Sequence, residues 1–274
     1  MHGRKLILAA AAVMALPVAA SADGGGLKGI SEPVYSRLIF SGGEVARDSW
    51  EAYTGGIFAL NRDLSKEGVL FRIMGSYGRY EYTDNCPAGG CPPTPLLTHE
   101  GKQWQGDAMI GYQWVRDRVD IGLYVGVDHI NHRISPTDPF NPVSGSETGF
   151  KIAGDIETRK HGNPVYFLLE GAYSTAFDTY YLLGRAGLNR NQLTFGVEGW
   201  LLGDETGDAQ RLGGFVAFER NLRADLLAEL TFSAGYQFVD DEDKLCGSFF
   251  GREGGYATVN LSLRFGEHHH RALK

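Results

Sequence analysis

Residues 255–265 alternate without a break. Ala257, Val259, Leu261, Leu263 and Phe265 fall on one side, and Tyr256, Thr258, Asn260, Ser262 and Arg264 on the other. Successive side chains of a strand point to opposite faces, so this segment has one apolar and one polar wall. A soluble sandwich can use such a strand, and so can the last strand of a membrane barrel. The rest of the chain decides between them.

The pattern recurs. Residues 119–133 set Val119, Ile121, Leu123, Val125 and Val127 against Asp120, Tyr124 and Asp128. Residues 102–115 set Trp104, Ala108, Ile110, Tyr112 and Trp114 against Gln103, Gln105, Asp107 and Gln113. Residues 225–239 oppose Leu226, Leu230, Phe232, Tyr236 and Phe238 to Glu229, Thr231, Ser233 and Gln237. In chain order the predicted strands are 34–47, 49–60, 69–82, 102–115, 119–133 and 146–158. They continue with 165–177, 179–188, 192–202, 209–219, 225–239 and 255–265. Their number is even. The long connections rich in Pro, Gly, Asp and Asn follow the third, fifth and eleventh strands, and so share one end. Bacterial outer-membrane barrels show this asymmetry, with short periplasmic turns and longer external loops. With the chain start inside, the long connections and all three cysteines face outward, and the 116–118 turn is periplasmic.

Charge placement also discriminates. Within the strands most Asp, Glu, Lys and Arg oppose the apolar side. In a closed barrel that side lines the lumen, where charge is tolerated. A sandwich accounts for each strand singly but not for the aromatics near strand ends. Trp104, Trp114, Phe177, Tyr180, Tyr181, Phe238, Tyr256 and Phe265 are assigned to interfacial girdles. The expected fold class is therefore all-β: a membrane-spanning, antiparallel, up-and-down barrel of about twelve strands.

The organisation follows. Residues 1–22 read as a secretory signal: Arg4 and Lys5, an apolar run 6–18, then Ala20-Ser21-Ala22 before the cleavage point. Residues 23–33 form a Gly-rich periplasmic leader, 34–265 the barrel, and 266–274 a polar tail with His268, His269 and His270. After cleavage, 24 basic residues stand against 33 acidic ones. That acidity argues against nucleic acid as a partner, because neutralising phosphates needs basic excess. Cys86 and Cys91, in a Pro/Gly loop, suit a small disulfide in an oxidising compartment, and Cys246 is left over.

Several stretches together resemble the BcsS family of cellulose biosynthesis proteins of Gram-negative bacteria. They are Ser41-Gly42-Gly43-Glu44, Asp107-Ala108-Met109-Ile110-Gly111-Tyr112-Gln113-Trp114, Tyr124-Val125-Gly126-Val127-Asp128 and Asn131-His132. Glu147-Thr148-Gly149-Phe150-Lys151, Tyr173-Ser174-Thr175-Ala176-Phe177-Asp178, Gly203-Asp204-Glu205 and Asp208-Ala209-Gln210-Arg211-Leu212-Gly213 complete the set. The resemblance spans nearly the whole mature chain. It implies a part in making or exporting cellulose or a related polysaccharide at the outer membrane. No catalytic residues carry over from the family, and the 86–93 loop and the His-rich tail are not among its features.

The richest constellation is inward. Asp107, Asp120, Asp128, Lys151, Asp155, Glu170, Arg185, Glu198, Arg211, Glu229 and Arg264 either pair across the lumen and plug it, or line a path for a hydrophilic chain. In the second case Tyr124 and Trp200 would stack on sugar rings. Two further groups are assigned to external loops. Asp128, His129 and His132 cluster at the end of the fifth strand, and Asp204, Glu205 and Asp208 form an acidic loop. An Asp/His pair can activate water, and acidic loop oxygens suit Ca²⁺. Ser174 with a distant His is the remaining nucleophile idea. No spacing places a full catalytic set, a cofactor or a metal site.

The expectation is thus a non-enzymatic barrel that assists cellulose or exopolysaccharide biosynthesis or export. Its partners are outer-membrane lipid, polysaccharide and other components of a cellulose synthase system. The alternatives are a surface hydrolase using the external Asp/His groups and a general small porin.

Overall fold

A computed structural model describes residues 34–83, 97–139, 141–158, 163–239 and 253–267. The strands are β1 (Val34–Ala46), β2 (Ser49–Ala59), β3 (Gly68–Thr83), β4 (Thr98–Val115), β5 (Val119–Ser135) and β6 (Gly145–Thr158). They continue as β7 (Val165–Ser174), β8 (Tyr180–Arg190), β9 (Leu193–Asp204), β10 (Gly207–Arg223), β11 (Leu226–Val239) and β12 (Gly254–Glu267). Each strand pairs antiparallel with its sequence neighbours, and β12 closes on β1, with Ser41 opposite Leu261 and Val45 opposite Ala257. Closure leaves no unpaired sheet edge, which is the condition for a sheet to sit in lipid.

The period-2 pattern decides which wall faces lipid. Leu123, Val125, Val127, Phe150, Ile152, Phe195, Val197, Leu212 and Phe232 all project outward and are exposed. Their strand neighbours Tyr124, Asp128, Lys151, Glu198, Arg211, Thr231 and Ser233 are buried inside. An exterior this apolar around an interior this polar inverts the soluble arrangement, and only a hydrocarbon solvent rewards it.

Cross-strand glycines make room for inward rings. Tyr80 lies opposite Gly101 and Tyr124 opposite Gly111. A β-carbon on Gly101 would come within 2.1 Å of the Tyr80 ring, and one on Gly111 within 2.3 Å of Tyr124. The rings lie across the backbone and fill lumen that a flat barrel wall would leave open.

Three connections differ from the sequence reading. The seventh strand stops at Ser174, where a 3₁₀ turn Ala176–Asp178 replaces the expected strand end. Phe177 and Asp178 adopt φ 52° and 47° there. This turns Phe177 into the loop-end mouth, against Ile130, Val143 and Ala176. The acidic loop shrinks to Glu205 and Thr206, because Asp204 Oδ1 accepts the Thr206 N–H at 2.7 Å and closes a two-residue turn. β10 runs on to Arg223 through an irregularity after Asn221, which absorbs the turn expected at 220–224. The connections 84–97, 136–144 and 240–253, the longest three, do share one end.

Candidate functional site in the barrel lumen

One network runs along the inner wall over the adjacent strands β4, β5, β6 and β7. Lys151 Nζ donates to Asp107 Oδ2 at 2.7 Å and stands 3.9 Å from Asp128 Oδ2. Ser174 Oγ donates to Asp128 Oδ1 at 2.7 Å, and Gln105 Nε2 to Asp128 Oδ2 at 3.3 Å. Ser174 in turn accepts the Ala176 N–H at 3.0 Å. The side chains of Asp107 and Asp128 are fully enclosed. A cation shared by two buried carboxylates is held by its neighbours as much as by Coulomb attraction.

A second network joins β8 to β12 with β1. Glu198 accepts from Arg185 Nε at 2.9 Å, Ser233 Oγ at 2.9 Å, Tyr256 OH at 2.9 Å and Trp200 Nε1 at 3.1 Å. Arg211 grips both oxygens of Glu44 at 2.9 Å and donates Nε to Gln237 at 2.8 Å. Its guanidinium also lies 5.2 Å from the Tyr256 ring centre, and that of Arg185 lies 5.1 Å from Phe215. The bidentate fork fixes geometry as well as charge.

Both mouths are partly occupied. At the turn end, Leu64 of the 60–67 connection reaches into the core formed by Ala59, Leu70, Met109, Tyr124 and Ala153. Its N–H donates to the Tyr35 carbonyl at 2.7 Å, and Gln113 Nε2 donates to its carbonyl at 3.0 Å. Asp63 beside it accepts from Ser65 and Lys66. Burial alone would raise its carboxyl, but those donors hold it below the usual carboxylate range. At the loop end, Tyr80 stacks on Tyr82, and Tyr82 on His99. The hydroxyl of Tyr80 meets His132 Nδ1 at 3.0 Å, that of Tyr82 donates to Asp138 at 3.0 Å, and Asn141 donates to Tyr82 at 3.0 Å. Phe177 N–H donates to Glu147 Oε2 at 3.0 Å, and Glu205 N–H to the Phe177 carbonyl at 3.1 Å.

The remaining inward candidates sit where their parity put them. Tyr181 donates to Glu170 at 2.8 Å, and Tyr166 to Glu157 at 3.0 Å. Asp155 faces Glu170, Glu157 and Asp120, with Arg72 the cation nearby. Arg264 sits in the field of Glu157, Glu229 and Glu219. Tyr124 packs in the core, with Arg72 5.9 Å from its ring centre. Trp200 is tied to Glu198 through its indole N–H and packs beside Leu183 and Phe215 rather than presenting a free face.

The external groups are placed differently from expectation. Asp128 and His132 point into the lumen from within β5, whereas His129 points outward, 5.0 Å from Trp104 and bonded to Thr148. Odd and even positions of one strand cannot share a face, so the three do not cluster. Asp204 closes its own turn, Asp208 accepts from Tyr180 at 2.6 Å, and both Glu205 and Asp208 stand exposed. Desolvation and then the nearby Glu147 and Asp178 carboxylates raise the Glu205 carboxyl. Among the described residues no group of three or more His, Cys, Asp or Glu side chains can hold a metal ion. Three girdle assignments are also corrected: Phe177, Tyr181 and Tyr256 are interior, each held by the bonds described above. Residues 1–33, Cys86, Cys91, Cys246 and His268–His270 lie outside the described residues.

Sequence reasoning passed over Glu44, Arg72, Ser174 and Tyr256 as lumen anchors, although the strand parity of each was available. The stretches that carry the family resemblance converge here. Glu44 meets Arg211, Asp128 meets Ser174, and Glu147 and Glu205 clasp Phe177.

A closed twelve-stranded barrel with an apolar exterior and a polar, filled interior is an outer-membrane protein. Residues 38–265 match the family model described as cellulose biosynthesis protein BcsS, and the chain belongs to that family. No curated protein matches the sequence. Among solved structures, a Pseudomonas aeruginosa FadL homologue is similar at 11% identity and TM-score 0.38, over 80% of this chain and 68% of that one. The KdgM porin is similar at 7% identity and TM-score 0.37, over 84% and 99%. Omp33 of Acinetobacter baumannii is similar at 11% identity and TM-score 0.33, over 86% and 100%.

Proposed function

We propose that this protein is a non-enzymatic outer-membrane component of a cellulose-producing system, one that supports polysaccharide biogenesis without conducting polymer through its own lumen. The observation that carries this is the filled interior. Two buried ion-pair networks line its wall, Leu64 enters from the turn end, and Phe177 with the Tyr80–Tyr82–His99 stack occupies the loop end. A glucan chain passing through would have to break buried charge pairs whose separation leaves uncompensated ions. Family membership supplies the link to cellulose. In this reading the turn end faces the periplasm, where other components of the synthase system are reached, and the loop end faces outward.

A hydrolase reading draws little support from the site. Asp128 is enclosed and committed to Ser174, Gln105 and Lys151, and Ser174 is itself buried. Neither has access to a substrate and water. The test has two arms. Deleting the gene should lower cellulose or pellicle yield, and the wild-type chain should restore it; an unchanged yield on deletion removes the proposal. The purified barrel in planar bilayers should show no steady ion conductance; a stable open pore would restore the porin reading.

A further inference from the structure

The two ends of the barrel are closed unequally, and the difference leaves a site. The 60–67 connection covers the turn end on the side of β2, β3 and β4, through Leu64 and Gln113. On the opposite side a cavity of about 540 Å³ opens between Asn163 and Pro164 just before β7, the β8–β9 turn and the end of β10. Asn163, Asn189, Asn191, Gln192, Glu219 and Arg220 line it. Such a volume lies within the range of small-ligand sites.

Part of the lining is fixed and part is available. Asn189 Nδ2 donates to the Asn163 carbonyl at 2.9 Å, and its Oδ1 accepts from Thr194 at 2.8 Å, which makes a rigid floor. Asn191, Gln192 and Arg220 make no side-chain hydrogen bond among the described residues, and each lines the cavity. An amide offers two donors and an acceptor in one plane, which matches neighbouring sugar hydroxyls. Glu219 faces inward, where Arg264 answers its charge, and Arg220 follows it on the opposite parity of β10. The lining that is left is mainly amide, with Arg220 its one cation. Pro164 and Leu227 add apolar surface of the kind that packs on the C–H face of a pyranose.

From this we infer that the turn-end cavity binds a segment of a neutral oligosaccharide, through Asn191, Gln192 and Arg220. The inference rests on the polysaccharide role proposed above and deepens it by naming a contact point at the turn-end mouth of the barrel. Growing or released glucan would be held at the turn-end face of the barrel, without entering it.

The experiment uses the full barrel in detergent micelles, with cellotetraose as the probe and an acidic galacturonate oligomer of the same length as the control, followed by titration calorimetry. Saturable binding of cellotetraose, with none of the acidic oligomer, is expected. The variants are N191G and Q192A. Asn191 sits at φ 57°, which glycine adopts freely, so N191G removes the amide without straining the turn. The Gln192 carbonyl that accepts the Glu219 N–H is untouched in Q192A. Each variant should weaken binding about fivefold, the loss expected for one hydrogen-bonding group. An absence of saturable binding to the wild type overturns the site, and so does binding that both variants leave unchanged. Stronger binding of the acidic oligomer overturns the ligand class. The gene-deletion yield stands apart from this. A yield that falls on deletion while cellotetraose fails to bind removes the site and leaves the proposed function.

Discussion

On the β8–β12 side of the lumen, Glu198 receives four hydrogen bonds, and Arg211 is matched by Glu44 and Gln237. On the β3–β4 side, Arg72 Nε, Gln103 Oε1 and Asp107 Oδ1 are buried without a hydrogen-bond partner among the described residues. Each unmet buried group costs about 1–3 kcal/mol relative to a satisfied one. Both sides carry charge inside a narrow lumen, yet only one is fully matched. The β3–β4 side is therefore where water enters first and where the plug loosens with least loss.

Truncating the best-connected carboxylate tests this contrast most strongly. E198A strands the Arg185 guanidinium and leaves Tyr256 and Ser233 without their acceptor, a loss of about 3–5 kcal/mol. D107N removes one charge from a pair whose cation still has Asp128 at 3.9 Å, and its Oδ1 is already unmet, so about 1–2 kcal/mol is expected. Midpoints of heat-modified electrophoretic mobility, with the barrel quantified in the membrane, read both. Equal shifts would end the claim that the two sides differ.

The lipid face of the weaker side is not correspondingly tolerant. Val125 projects outward from β5 at 52% exposure, within the apolar band of Leu123 and Val127. V125R should cost about 2–4 kcal/mol near the bilayer midplane. An undiminished unfolding midpoint would place Val125 away from hydrocarbon and remove the membrane reading of that wall. Filling the lumen at the same level should cost less. G111V drives a side chain into Tyr124, and overpacking of this kind costs about 1–3 kcal/mol. If the β3–β4 side gives way as argued, the cost falls at the low end of that range and the folded yield stays high.

The wall assignments were legible because a period of two is a local signal. Leu123, Val125 and Val127 against Asp120, Tyr124 and Asp128 needs only neighbours in sequence. Which charge meets which was not legible. Glu44 and Arg211 are 167 positions apart and meet only because the sheet closes. The Asp128, His129 and His132 grouping failed for the opposite reason: nearness in sequence was read as nearness in space, and strand alternation separates odd from even. Phe177 was misplaced because two left-handed residues, Phe177 and Asp178, follow the strand end and redirect its side chain, and no periodic pattern marks that event. Tyr256 was assigned to a girdle although its parity with Arg264 already put it inside. There the aromatic cue was given more weight than the pleat.

The smallest predicted effect concerns the lid over the weaker side. Asp63 is 5% exposed and accepts from Ser65 N–H at 2.9 Å, Ser65 Oγ at 2.6 Å and Lys66 Nζ at 2.9 Å. Desolvation opposes its ionisation, and those donors more than offset it, so its carboxyl is lowered. A group depressed in the folded state stabilises above its ordinary value and loses that contribution as pH falls through the folded one. Acidification below about pH 4 should therefore loosen the 60–67 turn and withdraw Leu64, at a cost of about 1 kcal/mol. Amide exchange at Leu64, whose N–H is bonded to Tyr35, reports the opening directly. The wild type should open as pH drops, whereas D63N should be open to the same degree throughout. Exchange at Leu64 that ignores pH in the wild type would mean the turn is held by Gln113 and packing alone, and the lid would then be as firmly set as the satisfied side of the lumen.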